Sequence, residues 1–374
     1  MDVNICSSMK LLSIVIPTRG REFYCIEAIK NILSYKRDDF ELVICDNSDT
    51  DKIEDYLKKH KDERVVYKHI KGRINSVINM DTAMRMATGD YVCMIGDDDT
   101  ILPSIFDTAA WAKENNFDNV TPRKMFDYFW PDTDGNNGYL RWLEFDNSDY
   151  SINDSQEKLK MFIEEGLIGY FNYLPRVYHG LVKNVILHKI LKTTGHIIGG
   201  LSPDIYLAVA ISCLTKNYIC VERAFTIAGA CPVSFSGLNS KGKINLSLES
   251  NPQFYKRGDY IWDYRIPRIT LAQTIWAETA LKAIEEIGRS DLISNFNQGY
   301  FFANLLCDRK FITEKVKQIS KTTLVGSKCR VTYNLVKYIA VRLMHKGKKK
   351  QNTSKIIENV PNIDDAIQII QHLD

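Results

Sequence analysis

Four short apolar runs alternate with helix-patterned segments over the first third of the chain, and this order restricts the fold more than any other feature. "LLSIVIP" (Leu11–Pro17) is continuous and β-branched, as befits a strand buried on both faces. A helical pattern follows, with Tyr24, Ile26, Ala28, Ile29, Ile32 and Leu33. "FELVICD" (Phe40–Asp46) and "DKIEDYLKKH" repeat the pair. "RVVYKHI" and "INSVINMDTAMRMATG" repeat it again, with Gly89 closing the helix. "YVCMI" is the fourth strand, and a helix from Ser104 to about Asn115 comes after it. Such alternation predicts an α/β fold, a mostly parallel sheet with helices on both faces.

Ligands of such sheets bind beyond the carboxyl ends of the strands. Three of these strands end in polar clusters: Pro17-Thr18-Arg19-Gly20-Arg21, Asp46-Asn47-Ser48-Asp49 and Asp97-Asp98-Asp99. Lying along one edge, they predict a binding cleft rather than three unrelated solvated loops. Adjacent carboxylates raise each other's pKa, so positive charge is expected among them. Oxygen ligands suit a hard divalent cation, Mn²⁺ or Mg²⁺, and Mg²⁺ takes one or two protein carboxylates and completes its shell with substrate phosphates. A nucleotide diphosphate is the natural ligand. Two lookalikes fail on spacing. A D-x-D-x-T phosphatase motif is missed because Thr100 stands one position early. "GLNSKGK" (Gly237–Lys243) matches a phosphate loop until Ile244, where Ser or Thr is required, and reads as a flexible loop.

"SIVIPTRGR", "ELVICDNSD" and "ATGDYVCMIGDDD", in this order and spacing, resemble glycosyltransferase family 2, inverting enzymes of the GT-A fold that include bacterial capsule and lipopolysaccharide-type sugar transferases. The resemblance covers residues up to about 125 well and, more loosely, up to about 240. It implies a Rossmann-like GT-A domain over residues 1–240, with a nucleotide-sugar half (10–125) and an acceptor half (126–240). The implied activity is metal-dependent hexosyl transfer from a nucleotide sugar, UDP-linked in the simplest case. The acceptor would be a hydroxyl of a glycan or a lipid-linked glycan in surface polysaccharide synthesis. The aspartate cluster corresponds to the family's D-x-D element, although Gly96 stands at the usual first Asp. The aligned metal ligand is then Asp98, with Asp99 beside it and Asp97 on the donor ribose or sugar. Pro17, Thr18 and Arg21 would line the nucleotide pocket. Asp46 corresponds to an acid that reads a uracil edge, and a carboxylate can accept a base N–H. Arg73 lies 98 − 73 = 25 residues before Asp98, where a basic residue contacts base or phosphate; a solvated charge is the alternative.

Inversion by a single displacement needs a second carboxylate as base. The resemblance places it in "GGLSPDIYLAVAI", at Asp204, which is 204 − 98 = 106 residues beyond Asp98. Pro-Asp stands there in place of the more usual Glu-Asp. Ser202 suits a cap, Pro203 a first-turn position, and the helix dipole would lower the Asp204 pKa. "YLPRVYHGLVKN" (Tyr173–Asn184) offers aromatic faces for an acceptor sugar, and His179 is either the next candidate base or a hydrogen-bonded core histidine. "TIAGACPVSFSG" is read as a loop near the site.

Past Phe117 the alternation fades. "MFDYFWPDTDGNNGYLRWLEF" reads as a hairpin, while Ser155 to Ile168, Pro203 to Leu214 and Ile266 to Ile287 read as helices. Residues 241–374 are expected to form a mainly helical, membrane- or partner-associating region. Lys328 to Lys350 carry eight Lys and Arg and no acidic residue, on a pattern that fits a helix lying on an anionic membrane surface or one packed on the core. A net charge of 49 − 46 = +3 gives no footing for nucleic acid. Nine scattered cysteines without a C-x-x-C pair favour free thiols in a reducing compartment. The expected location is cytoplasmic, peripheral on the inner face of the membrane. Two rivals share the sheet. A nucleotidyltransferase would carry a Gly-rich basic loop after the first strand, which "PTRGREFY" lacks. The other is a catalytically inactive binding protein on the same fold.

Overall fold

The computed structural model describes residues 10–133, 137–143, 150–169, 174–234, 254–257, 260–269, 271–307, 336 and 354–373. Strands β1 (Leu12–Thr18), β2 (Phe40–Asp46), β3 (Val65–His69) and β4 (Tyr91–Met94) are separated by helices α1 (Glu22–Ser34), α2 (Lys52–Lys59) and α3 (Ser76–Arg85). The four strands are parallel, in spatial order 3-2-1-4. β1, β2 and β4 are buried at every position, which is why their sequences are mostly apolar. The half-exposed β3 lies at the sheet's outer edge.

Beyond β4 the eight-stranded sheet continues through β10 (Leu181–Lys183), β6 (Asn119–Pro122), β11 (Asn217–Val221) and β9 (Tyr150–Asp154). β10 runs antiparallel to both of its neighbours. A five-stranded sheet joins β5 (Thr100–Ile101), β12 (Thr226–Ala230), β7 (Phe126–Phe129), β8 (Tyr139–Trp142) and β13 (Lys355–Glu358). β7 and β8 are the arms of the expected hairpin, with Phe126 opposite Trp142. "TIAGA" is not the expected loop. It is β12, buried at Thr226, Ile227 and Ala230 and paired with β7 and β5.

Described residues beyond 241 pack against both sheets and their helices. β13 adds an edge to the smaller sheet, and α10 (Ile363–Gln371) packs Ile363, Ala366, Ile367 and Ile370 among Phe126, Tyr128, Trp130 and Leu140. Helix α7 (Pro203–Leu214) is apolar all round and buried accordingly. It packs in one core with α8 (Ala272–Glu286) and with Phe301 and Leu305 of α9 (Gln298–Cys307). The helix read from Ile266 starts later, at Ala272. Thr274 Oγ1 accepts from the Leu271 N–H at 3.1 Å and donates to the Ile269 carbonyl at 2.6 Å, which ties off the incoming chain. No helix among the described residues is long and apolar enough to cross a membrane. Apart from Val336, Lys328–Lys350 lie outside the described residues, as do Gly237–Lys243.

Candidate functional site

β4 ends at Met94, Ile95 still donates to the Val15 carbonyl at 3.0 Å, and the chain then turns into β5 of the other sheet. Asp97, Asp98 and Asp99 occupy this passage, all buried. Buried carboxylates demand partners. The end of β1 supplies two of them: Thr18 Oγ1 donates to Asp97 Oδ2 at 2.6 Å, and Arg21 Nε to the same oxygen at 3.1 Å. Arg21 also places Nη2 2.7 Å from Asp97 Oδ1 and Nη1 3.3 Å from Asp98 Oδ1. β12 supplies others, for the Cys231 N–H donates to Asp98 Oδ2 at 2.9 Å and the Gly229 N–H to Asp99 Oδ1 at 2.6 Å.

The three aspartates differ in what they are free to do. Asp99 Oδ2 accepts from the Gly96 N–H at 2.5 Å and from the Tyr178 hydroxyl at 2.8 Å, and it lies 3.2 Å from His179 Nε2. Against the effect of burial, His179 and the Gly229 and Gly96 N–H groups hold its carboxyl below the ordinary value. Asp99, expected beside a metal, anchors Tyr178 and His179. Burial pushes Asp97 and Asp98 upward, and Arg21 only partly offsets it. One guanidinium for two buried carboxylates leaves an uncompensated negative charge, and Asp98 Oδ1 has only the long Arg21 contact. A divalent cation would fit that donor set, and Asp98 Oδ1 is its least engaged oxygen.

Asp204 opens α7 behind Pro203, and Ser202 stands at the N-cap without a side-chain bond. The helix dipole does not dominate its ionisation. Burial pushes the carboxyl up to about 6, with His179 and Arg176 opposing and Asp99 adding to the rise. The poise is higher than the dipole alone would give, and better suited to accepting a proton near neutral pH. His179, buried and held at a positive φ of 58°, lies between Thr226 Oγ1 (3.0 Å from Nδ1) and Asp99. A non-glycine residue in that region is uncommon and concentrates at functional sites.

Asp46, fully buried at the end of β2, accepts from the Ser48 N–H at 2.8 Å and the Tyr67 hydroxyl at 3.1 Å. Pro17 sits opposite Cys45 in the β1–β2 register, one step before Thr18 meets Asp46. The structure brings Thr18, Arg21, Asp97, Asp98 and Asp99 into one network. Arg73 is not part of that network; it is exposed, with its guanidinium 4.2 Å from the centre of the Tyr255 ring.

Sequence reading passed over several supports. Asn47 donates to the Ile70 and Gly72 carbonyls at 2.8 and 2.6 Å and accepts from the Ile74 N–H at 3.1 Å, pinning the loop that carries Arg73. Trp130 Nε1 donates to the Asp98 carbonyl at 2.9 Å. The one available signal was Gly229 inside a strand-like run, since a strand glycine marks close backbone approach. A Cβ there would stand 1.7 Å from the Asp98 carbonyl oxygen. Gly229→Ala should therefore cost about 1–3 kcal/mol or more, read as a lowered Tm, together with weaker ligand binding at the aspartates.

Residues 13–166 match the family model described as Glycosyl transferase family 2. WcaA of Escherichia coli K12, named for colanic acid biosynthesis glycosyl transfer, is 30% identical over 96 residues, covering 25% of this chain and 34% of that protein. The uncharacterized glycosyltransferase MJ1057 of Methanocaldococcus jannaschii is 28% identical over 112 residues, covering 29% of this chain and 39% of that one. The chain thus spans little more than a third of the length of these relatives. Among solved structures, Staphylococcus aureus TarS 1–349 with UDP-GlcNAc is a loose likeness, with a TM-score of 0.45, 14% identity, and coverage of 94% of this chain and 97% of that one.

Proposed function

We propose, on the match of residues 13–166 to the glycosyl transferase family 2 model, that the chain is a metal-dependent inverting transferase moving a sugar from a nucleotide sugar to an acceptor hydroxyl. The observation that carries the reading is the buried Asp97–Asp98 pair with its single Arg21 counter-charge, at the strand edge shared with Asp46. Asp98 would hold Mn²⁺ or Mg²⁺, which when bound offsets the charge of the donor diphosphate. Asp97, Thr18 and Arg21 set the floor of the donor pocket, Pro17 flanks it, and Asp46 faces the base, uracil by preference. Arg73, carried on its Tyr255 platform, faces the base or a phosphate.

Asp204 takes the proton of the acceptor hydroxyl. The acceptor oxygen then bonds to the anomeric carbon as the bond to the nucleoside diphosphate breaks on the opposite side. Tyr178 and His179, fixed by Asp99, line the acceptor side. Calorimetry with UDP, GDP, CDP and dTDP in the presence of Mn²⁺ tests the donor half. UDP should bind best, and failure of all four diphosphates would overturn the reading. The pH profile tests the base. Asp204 is active only when ionised, so kcat/KM should be flat above about pH 6 and fall towards tenfold per unit below it.

A nucleotidyltransferase shares the sheet and metal chemistry, but its Gly-rich basic loop is missing after β1. Asp46, Asp97–Asp99 and Asp204 standing together favour an enzyme over an inactive binding protein on the same fold. The acceptor is proposed to be a glycan or lipid-linked glycan at the cytoplasmic membrane face, reached through the basic residues of Lys328–Lys350, where each cation near an anionic surface contributes about 1 kcal/mol. Sedimentation with anionic vesicles should pellet the protein at low salt and release it at high salt. A protein that stays in the supernatant under both conditions would contradict a membrane role for these residues.

A further inference from the structure

Three ligand-type side chains meet away from that site, on the outer edge of the parallel sheet. Asp51 is the N-cap of α2, Glu54 lies in its first turn, and His69 ends β3. One imidazole nitrogen and two carboxylate oxygens from these residues lie within 4.8 Å of one another. Acidic pairs at a helix start are commonplace, so the histidine decides the matter. Its side chain is only 6% exposed. Its Nε2 lies 3.0 Å from the Ser48 carbonyl oxygen. That oxygen only accepts, so Nε2 carries the hydrogen and Nδ1 of the neutral ring is a bare lone pair. Nδ1 is buried and has no hydrogen-bond partner, although it faces Asp51 Oδ1 at 3.2 Å and Glu54 Oε2 at 3.7 Å. In the neutral ring that lone pair meets two carboxylates, a repulsion that either a metal ion between them or a proton on Nδ1 relieves. A carbonyl fixing the far nitrogen is also the usual outer shell of a metal-bound histidine.

We propose that Asp51, Glu54 and His69 bind a divalent first-row transition ion, Zn²⁺ by preference, at a site separate from Asp98. One nitrogen and two oxygen donors with a fourth position open suit Zn²⁺, whereas Mg²⁺ keeps to oxygen ligands. Two lysines lie against the carboxylates: Lys71 Nζ contacts Asp51 Oδ1, and Lys58 Nζ is 2.8 Å from Glu54 Oε1. Their side chains are 67% and 63% exposed, and such surface pairs yield at little cost. The site connects to the donor edge through Ser48, whose N–H donates to Asp46 and whose hydroxyl accepts from the Gly20 N–H at 2.9 Å. Bound metal braces residues 46–49 from outside.

The probe is Co²⁺, read by its d–d absorption, on the full chain carrying Asp98→Asn to silence the other site and stripped with a chelator beforehand. One equivalent should bind and be displaced by Zn²⁺. His69→Ala should abolish the band, Glu54→Gln should weaken binding by more than the roughly 10–100-fold that outer-shell changes cost, and Lys71→Met should tighten it. Zn²⁺ should also raise the Tm of the parent and not of His69→Ala. Glu54→Gln, on an accessible helix, keeps the test informative should His69→Ala fold poorly. Absence of a Co²⁺ band, or a band indifferent to both His69→Ala and Glu54→Gln, overturns the proposal and leaves the three residues as a protonated ion triad.

Discussion

Asp204→Asn should lower turnover by about 10²–10⁴, the scale of a lost general base, while leaving nucleotide affinity nearly unchanged. The substitution keeps the size of the side chain and its place behind Pro203 in the first turn of α7, but removes its affinity for a proton. It also removes the group that burial pushes up to about 6, so the residual activity should lose the inflection near that pH. Both readouts matter. A variant defective only because α7 shifted would lose nucleotide affinity too and keep the inflection. Near-native turnover would move the base elsewhere, with His179 the nearest candidate.

Asp98→Asn should weaken Mn²⁺-dependent UDP binding by about 10²-fold or more, since removing a ligand should exceed the 10–100-fold cost of outer-shell changes. The amide oxygen still accepts from the Cys231 N–H, so the fold at β12 is spared. EDTA should bring the unaltered protein down to the level of the variant and should leave the variant where it is. Asp99→Ala provides the contrast. It strips the acceptor from the Gly96 and Gly229 N–H groups and from Tyr178, so it should act chiefly by lowering Tm. If Asp99→Ala abolished metal dependence while leaving Tm intact, the roles of the two aspartates would be exchanged.

Local sequence carried the parallel half of the fold because each element there announces itself. Short, β-branched, mostly apolar runs between helix-patterned segments fit strands buried on both faces, covered by helices with an apolar stripe. The same logic put Thr18, Arg21 and Asp97–Asp99 at one edge before any distance was known. It failed where partners are distant in sequence. β12 looked like a loop because Gly229 weakens its strand signal, yet that glycine is what lets Asp98 pass within contact distance. β13 pairs with β8 more than 200 residues earlier and α10 packs on the same sheet, contacts that no periodicity reveals. The upward push on the Asp204 carboxyl was not legible for a related reason. The dipole is a local property readable from Pro203, whereas the burial that outweighs it comes from packing around the helix start. The contacts of Asp99 with Tyr178, His179 and Gly229 were hidden in the same way, since all three partners lie about 80 residues or more away in sequence.

The central claim is sugar transfer from a nucleotide sugar, and product analysis addresses it most directly. Purified protein with Mn²⁺ is incubated with a panel of UDP-, GDP-, CMP- and dTDP-linked sugars and a membrane extract as acceptor source, and the nucleotide products are separated. The account predicts release of a free nucleoside diphosphate from at least one donor, UDP from a UDP-sugar first of all, dependent on Asp204 and abolished by EDTA. Sugar 1-phosphate and nucleoside triphosphate formed on adding pyrophosphate, or tight donor binding with no turnover across the panel, would contradict it.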